Sequence, residues 1–292
     1  MTDLGEMSWI LGIHVDHDRE KGTIALSQEN FIKEILECHR MSDSCPISTP
    51  SLANEHLVKL ESPEISAKSY QCALGALMYP MLGTRPDLSY AIAALGHHAA
   101  NPGPDHQHAL EHVFHYLRAT SGKQLVFGQG TSDGSTLFGY ADANWASDIN
   151  DRKSMSSYVF KMAGAAVSWS SKKQTSVALS STEAEYIAGA HAAKEAIWLR
   201  QLLLELGLEM SSPTTLHIDN QSAITIARNP EFHKHTKHIN IRYHYLQQVI
   251  NDGTLELTYT PTQDQVANIL MKGLPPATHI KFRSAIGIHW LA

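Results

Sequence analysis

Two apolar runs, Trp9-Ile10-Leu11-Gly12-Ile13-His14-Val15 and Thr23-Ile24-Ala25-Leu26, flank the polar stretch from Asp16 to Gly22, and this pattern predicts a β-hairpin over residues 9–26. Ser27 stands where a helix cap belongs, and Phe31, Ile32, Ile35 and Leu36 follow at the spacing of one helical face. Cys45-Pro46-Ile47-Ser48-Thr49-Pro50 ends this unit in extended chain, because a residue before proline is driven out of the helical region. Residues 51–64 are polar and read as loop, after which helical periodicity returns over residues 70–81, 87–100 and 105–119.

Gly128-Gln129-Gly130-Thr131-Ser132-Asp133-Gly134-Ser135 is made of turn formers, and the main domain boundary is expected there. Beyond it the pattern turns to strands over residues 136–141, 156–162 and 165–170. A long helix over 182–206, a strand over 214–218 and a helix over 221–228 follow, then a helix over 239–251, a strand over 255–260 and a last helix over 263–272. Three antiparallel strands followed by helices alternating with parallel strands predict a mixed α/β sheet.

Three carboxylates fall at the junctions of these elements, where a shared site for two divalent cations would need them. Asp142 closes the strand of Gly139-Tyr140-Ala141-Asp142, and the competing role is that of a turn aspartate. Asp219 follows Leu216-His217-Ile218 at the carboxyl edge of the sheet, where its competing role is a helix N-cap. Glu185 also completes a capping box with Thr182, but Ser180 with Glu183 offers a second, offset box. Two positions apart on a helix, only one of these glutamates faces the sheet. Glu185 shares its face with the small residues Ala188, Gly189 and Ala192, so it is assigned to the site and Glu183 to the cap.

The chain has 292 residues and is 43% hydrophobic, enough for two domains with real cores. It carries no apolar run long enough to span a bilayer and no signal-like N-terminus, so an intracellular location, cytoplasmic or nuclear, with no membrane partner is expected. Cys38, Cys45 and Cys72 lie outside any metal-finger spacing and are read as reduced structural thiols. The net charge of -6 argues against strong autonomous nucleic-acid binding, although the 18 histidines soften that argument. The segment from Phe232 to His244 is rich in His, Lys and Arg and admits three roles: a zinc site, a phosphate-facing basic loop or a solvated helix start.

Several ordered strings resemble the C-terminal part of the Pol polyprotein of copia-type LTR retrotransposons, the reverse transcriptase tail followed by its ribonuclease H domain. They include Leu11-Gly12-Ile13, Leu26-Ser27-Gln28, Gly83-Thr84-Arg85-Pro86-Asp87, Tyr116-Leu117-Arg118-Ala119-Thr120, Tyr140-Ala141-Asp142-Ala143-Asn144-Trp145, Ser180-Ser181-Thr182-Glu183-Ala184-Glu185-Tyr186, Asp219-Asn220-Gln221-Ser222 and Thr236-Lys237-His238. The resemblance implies an α/β, RNase H-like mixed five-stranded sheet with flanking helices, preceded by a mostly helical thumb- or connection-like region with an N-terminal β-hairpin. Domains are expected at 1–50, 51–134 and 135–292. The implied activity is cleavage of the RNA strand of an RNA:DNA hybrid with Mg2+ or Mn2+ held by Asp142, Glu185 and Asp219. Lys172, Lys173, Lys237 and Arg242 are the suggested phosphate contacts, and an intact reverse transcriptase or other Pol products the suggested further partners.

Departures from the family pattern change the expectation. The family has aspartate where this chain has Asn144, Asn240 and Asn268, and glycine where it has Ser157. Asn268 falls on the fourth carboxylate of the catalytic set, so weaker metal binding and impaired turnover are expected. The polymerase's paired aspartates occur nowhere in the chain, so it is not expected to copy RNA alone. Two further readings stand beside the nuclease: a decayed Pol fragment keeping only its fold and weak nucleic-acid binding, and a partner-binding remnant exposing the Trp9-Ile10-Leu11 hairpin.

Overall fold

The structure, a computed structural model, describes residues 5–53, 57–128, 136–229 and 240–290, with only the backbone of 240–244. In chain order the first elements are β1 (Trp9–Ile10), β2 (Ile13–Asp18), β3 (Thr23–Ser27), α1 (Glu29–Cys38), α2 (Ala67–Gly83), α3 (Ser89–Gly96), α4 (Pro104–Thr120) and β4 (Lys123–Phe127). Then come β5 (Phe138–Asn144), β6 (Met155–Met162), β7 (Ala165–Lys173), α5 (Ser181–Glu205), β8 (Thr214–Ile218), α6 (Gln221–Arg228), α7 (Asn240–Asn251), β9 (Leu255–Tyr259), α8 (Pro276–Ala285) and β10 (Ile288–Trp290). They form two compact units: Met1–Ser132 with Ala163–Ala166 and Lys272–Ala292, and Asp133–Met162 with Val167–Met271.

The first unit holds an antiparallel sheet in the order β1-β2-β3-β4-β10. Its helices close on one another through Ile32, Ile35 and Leu36 of α1, Tyr70 and Leu77 of α2, Ile92 of α3, and Leu110, Val113 and Leu117 of α4. Ser27 Oγ accepts from Glu29 N at 3.2 Å, as the expected start of α1 requires. The expected two-stranded hairpin is instead three strands, because Leu11 (φ 49°) and Gly12 (φ 76°) both take left-handed backbone and turn the chain between β1 and β2. The helix expected over 87–100 is a 3-10 turn, Pro86–Leu88, followed by the shorter α3.

The second unit is a five-stranded sheet in the order β7-β6-β5-β8-β9. β5 pairs antiparallel with β6 and parallel with β8, and β8 pairs parallel with β9. Small residues of α5, Ala190, Ala192, Ala193 and Ala196, share a core with Ala141, Tyr158, Phe160, Leu216 and Ile218 of the sheet. Gly139 lets the Phe160 ring lie against β5, since a Cβ there would stand 2.5 Å from its Cε1. Mixed strand directions with helices packed on the sheet give the RNase H-like α/β class that the resemblance implies.

Three further differences bear on the site and the boundaries. β5 runs on to Asn144, so Asp142 lies within the strand and not at its end. The helix expected over 263–272 is two 3-10 turns, Thr262–Asp264 and Val266–Leu270, and the second packs against β5 and β6. The division into 1–50, 51–134 and 135–292 also differs, since α1 shares its core with α2–α4 and the tail from Lys272 returns to the first unit, where β10 pairs with β4.

Candidate metal centre

Strand register brings the two aspartates together. β5 and β8 run parallel with Tyr140 opposite His217, so Asp142 and Asp219, each two residues further on, come level at one rim of the sheet. Asp142 is 3% exposed, and its Oδ1 accepts from Ala143 N at 2.8 Å. Asp219 is released from capping α6 because the next residue does it: Asn220 Oδ1 accepts from Ala223 N at 3.0 Å.

The glutamates divide as the helical geometry requires. Ser180 Oγ caps α5 by accepting from Glu183 N at 3.1 Å, and Glu183 Oε2 reaches back to accept from Leu179 N at 2.8 Å. Glu185 is left to face the aspartates. One ligand atom from each of Asp142, Glu185 and Asp219 lies within 4.8 Å of the others, and no other such group of three or more acids, cysteines and histidines occurs among the described residues. Glu185 is held far above the usual carboxylate range by its burial, by the charges of Asp142 and Asp219 and by a hydrogen bond with Asp142, against which Ala143 N works. Without a counter-charge, the cluster keeps a proton that a cation would displace.

Asn268 is buried in the 3-10 turn Val266–Leu270. Its Nδ2 donates to Thr262 O at 3.1 Å, Thr262 Oγ1 donates to Asp219 Oδ2 at 2.8 Å, and Asn268 Oδ1 has no hydrogen-bond partner. Three residues that the sequence did not single out as site residues fix this turn. Gln265, fully buried, donates from Nε2 to Ala141 O at 3.0 Å and His217 O at 3.4 Å, tying the turn to both aspartate-bearing strands. Thr262 is the link to Asp219. Ser157, paired with Asp142 across β5 and β6, donates from Oγ to Ala267 O at 3.1 Å, so the residue that departs from the family's glycine fastens the turn to the sheet. Gln265 closes the polar stretch Thr262-Gln263-Asp264 and gives no local sign of this role, and Ser157 stood out in the sequence only as a departure from the family's glycine.

The donors fit a hard divalent cation of the Mg2+ or Mn2+ kind: all are oxygens, and Glu185 Oε2, like Asn268 Oδ1, is buried with no hydrogen-bond partner. Of the suggested phosphate contacts, Lys173 is engaged by Asp148 and Asp151, whereas Lys172 lines a cleft of about 270 Å³ with His191, Lys194 and Tyr245. Residues 232–239, with Lys237, lie outside the described residues, as do the side chains of Asn240 and Arg242. Asn144 lies at the end of β5, half-buried. Cys38, Cys45 and Cys72 are free and exposed, which leaves no packing role for the expected structural thiols. No described helix is long and apolar enough to cross a membrane.

Fold and carboxylate cluster together define an RNase H-like α/β domain, joined in one chain to a helical unit with its own antiparallel sheet. No protein-family model matches the chain. It is 38% identical over 296 residues to the retrovirus-related Pol polyprotein from transposon TNT 1-94 of Nicotiana tabacum, a match covering 99% of this chain and 22% of that protein. With the corresponding polyprotein from transposon RE2 of Arabidopsis thaliana it shares 34% identity over 288 residues, covering 97% of this chain and 19% of that one. The chain belongs to the retrovirus-related Pol polyproteins of copia-type transposons, and spans 19% to 22% of the length of these two relatives. Among solved structures it is similar to LC11-RNase H1, isolated from compost by a metagenomic approach, at 12% identity and a TM-score of 0.37 over 47% of this chain and 93% of that one.

Proposed function

We propose that the second unit is a ribonuclease H-type endonuclease that hydrolyses the RNA strand of an RNA:DNA hybrid. The observation that carries the proposal is the convergence of Asp142, Glu185 and Asp219, from a strand, a helix and a strand end remote in sequence, within 4.8 Å at one rim of the sheet. These three residues would hold the divalent cations. When bound, such ions supply the Lewis acidity that readies water for in-line attack on the phosphodiester and offsets charge on the departing 3′-oxygen. The chain's own part is positional: Gln265 holds the strands' carbonyls, Thr262 orients Asp219, and the Ser180–Glu183 cap frees Glu185. Sequence in the hybrid would not be read, only its minor groove and 2′-hydroxyls.

Asn268 favours a second reading, a fold retained with turnover reduced or lost. Its amide brings one oxygen but no charge, and its nitrogen is committed to Thr262 O. One experiment separates the readings: the purified chain is incubated with labelled hybrid and Mg2+ or Mn2+ beside an Asp142→Asn control. Cleavage that disappears in the control supports the nuclease. Equal background in both leaves binding alone, and activity gained by Asn268→Asp would locate the defect in the missing charge.

A further inference from the structure

Within the first unit, buried charge does not balance. Arg85 is fully buried and grips Asp87 with both ends of its fork, Nε to Oδ1 at 3.0 Å and Nη2 to Oδ2 at 2.8 Å. Its other bonds go to Thr120, from Nη1 to the carbonyl at 3.1 Å and from Nη2 to Oγ1 at 2.7 Å. Tyr116 OH donates to Asp87 Oδ2 and accepts from Arg283 Nη1 at 3.1 Å. The single carboxylate of the cluster is therefore taken up by Arg85 and Tyr116.

Two more cations remain. Arg283 and Lys123 are 8% and 7% exposed, and neither has an ion-pair partner among the described residues. Lys123 Nζ lies over the Trp290 ring, 4.6 Å from its centroid. His279, 3% exposed, stands edge-on to Tyr116 with ring centroids 5.5 Å apart, and neither of its ring nitrogens has a partner. Burial first, then the charges of Arg283 and Arg85, push Lys123 down to about 8 against the pull of Asp87. A buried arginine cannot shed its proton, so an uncompensated cluster of this kind calls for an anion.

We propose that Lys123, Arg283 and His279 form an oxyanion site for a phosphate group, walled by Trp290. A tetrahedral phosphate accepts from a guanidinium, an ammonium and an imidazole N–H together. Trp290 is 56% exposed, so the site has one wall at the surface. The phosphate could be free or part of a nucleic-acid strand, and both present the same oxygens.

The test uses the full chain with EDTA and the Asp142→Asn substitution, so that the carboxylate centre contributes nothing. Inorganic phosphate is titrated at constant ionic strength against chloride, following tryptophan emission and the unfolding midpoint. A saturable change in both is expected with phosphate alone, with apparent affinity at least tenfold weaker in Lys123→Met. Trp290→Phe should abolish most of the emission change and keep the midpoint rise. The proposal is overturned if phosphate raises the midpoint no more than chloride does, or if Lys123→Met binds as tightly as the parent. Should Lys123→Met not fold, the phosphate-against-chloride comparison and Trp290→Phe decide alone. Single-stranded oligonucleotides then assign the source: competition by a 5′-hydroxyl strand identifies backbone phosphate, competition by a 5′-phosphorylated strand only identifies a terminal phosphate, and competition by neither identifies the free ion.

Discussion

Thr262 Oγ1 donates a 2.8 Å hydrogen bond to Asp219 Oδ2, so the member of the cluster that is not fully buried is held in place from outside the sheet. Thr262 is itself exposed, and the bond that buried Asn268 makes to it uses its carbonyl, not its hydroxyl. Thr262→Val keeps the branched shape and removes the donor. Hydrogen bonds to charged groups contribute about 1.5–3 kcal/mol, so hybrid cleavage should fall roughly tenfold or more, while stability stays within about 0.5 kcal/mol. An unchanged kcat/KM would show that Asp219 needs no such support.

Asn268 gives a substitution whose sign depends on the cation. In the metal-free chain, Asn268→Asp replaces an N–H···O bond to the Thr262 carbonyl with two opposed acceptors, and should lower stability by about 1–3 kcal/mol. With Mg2+ or Mn2+ the added charge should tighten cation binding and reverse the order. Unfolding midpoints of both proteins, measured in EDTA and across a cation titration, should therefore cross. Curves that run parallel would separate residue 268 from the cation site.

How much of this was legible in the chain depends on the range of the interactions involved. The strand β8, the small-residue face of α5 and the Ser180–Glu183 offset are local, and each is legible in the sequence. β4 and β10 were missed because each is short and acquires its strand character only by pairing, β10 with β4 and β4 with β3. The 3-10 turn Val266–Leu270 carries apolar residues at a spacing that also suits an α-helix, and what decides its shape is tertiary: Gln265 bonded to carbonyls on two strands, and Ser157 bonded to Ala267. The family resemblance singled out Asn268, but only the hydrogen bonds show which of its two amide atoms is committed.

Glu185 predicts a conflict between stability and activity. Its burial among like charges makes its ionised form unfavourable in the metal-free protein. Glu185→Gln removes that conflict at nearly constant volume and should raise the stability of the metal-free chain by about 1–2 kcal/mol, as substitutions at strained functional sites do. Cleavage should drop at least a hundredfold in the same variant. Denaturant unfolding in EDTA checks the first part and the hybrid assay the second; a loss of stability would mean that Glu185 supports the fold through contacts its isostere cannot make.

His279 sets a pH dependence of stability whose sign follows from its surroundings. Burial pushes it down to about 4, with Asp87 pulling it up and Arg283 and Arg85 pushing it further down. In the unfolded chain it titrates near its ordinary value of 6.5. The folded state therefore binds the proton less readily than the unfolded one, so this contribution is fully present above about pH 6.5 and is lost as pH falls towards 4. A difference of that size corresponds to about 3 kcal/mol between the two limits. His279→Leu leaves no polar atom unsatisfied, so in chloride buffer it should match the parent or exceed it at pH 7 and lose about 3 kcal/mol less on going to pH 4. Urea unfolding at several pH values measures both limbs. If the two proteins keep a constant difference from pH 7 to pH 4, His279 is not the buried neutral group that its surroundings make it.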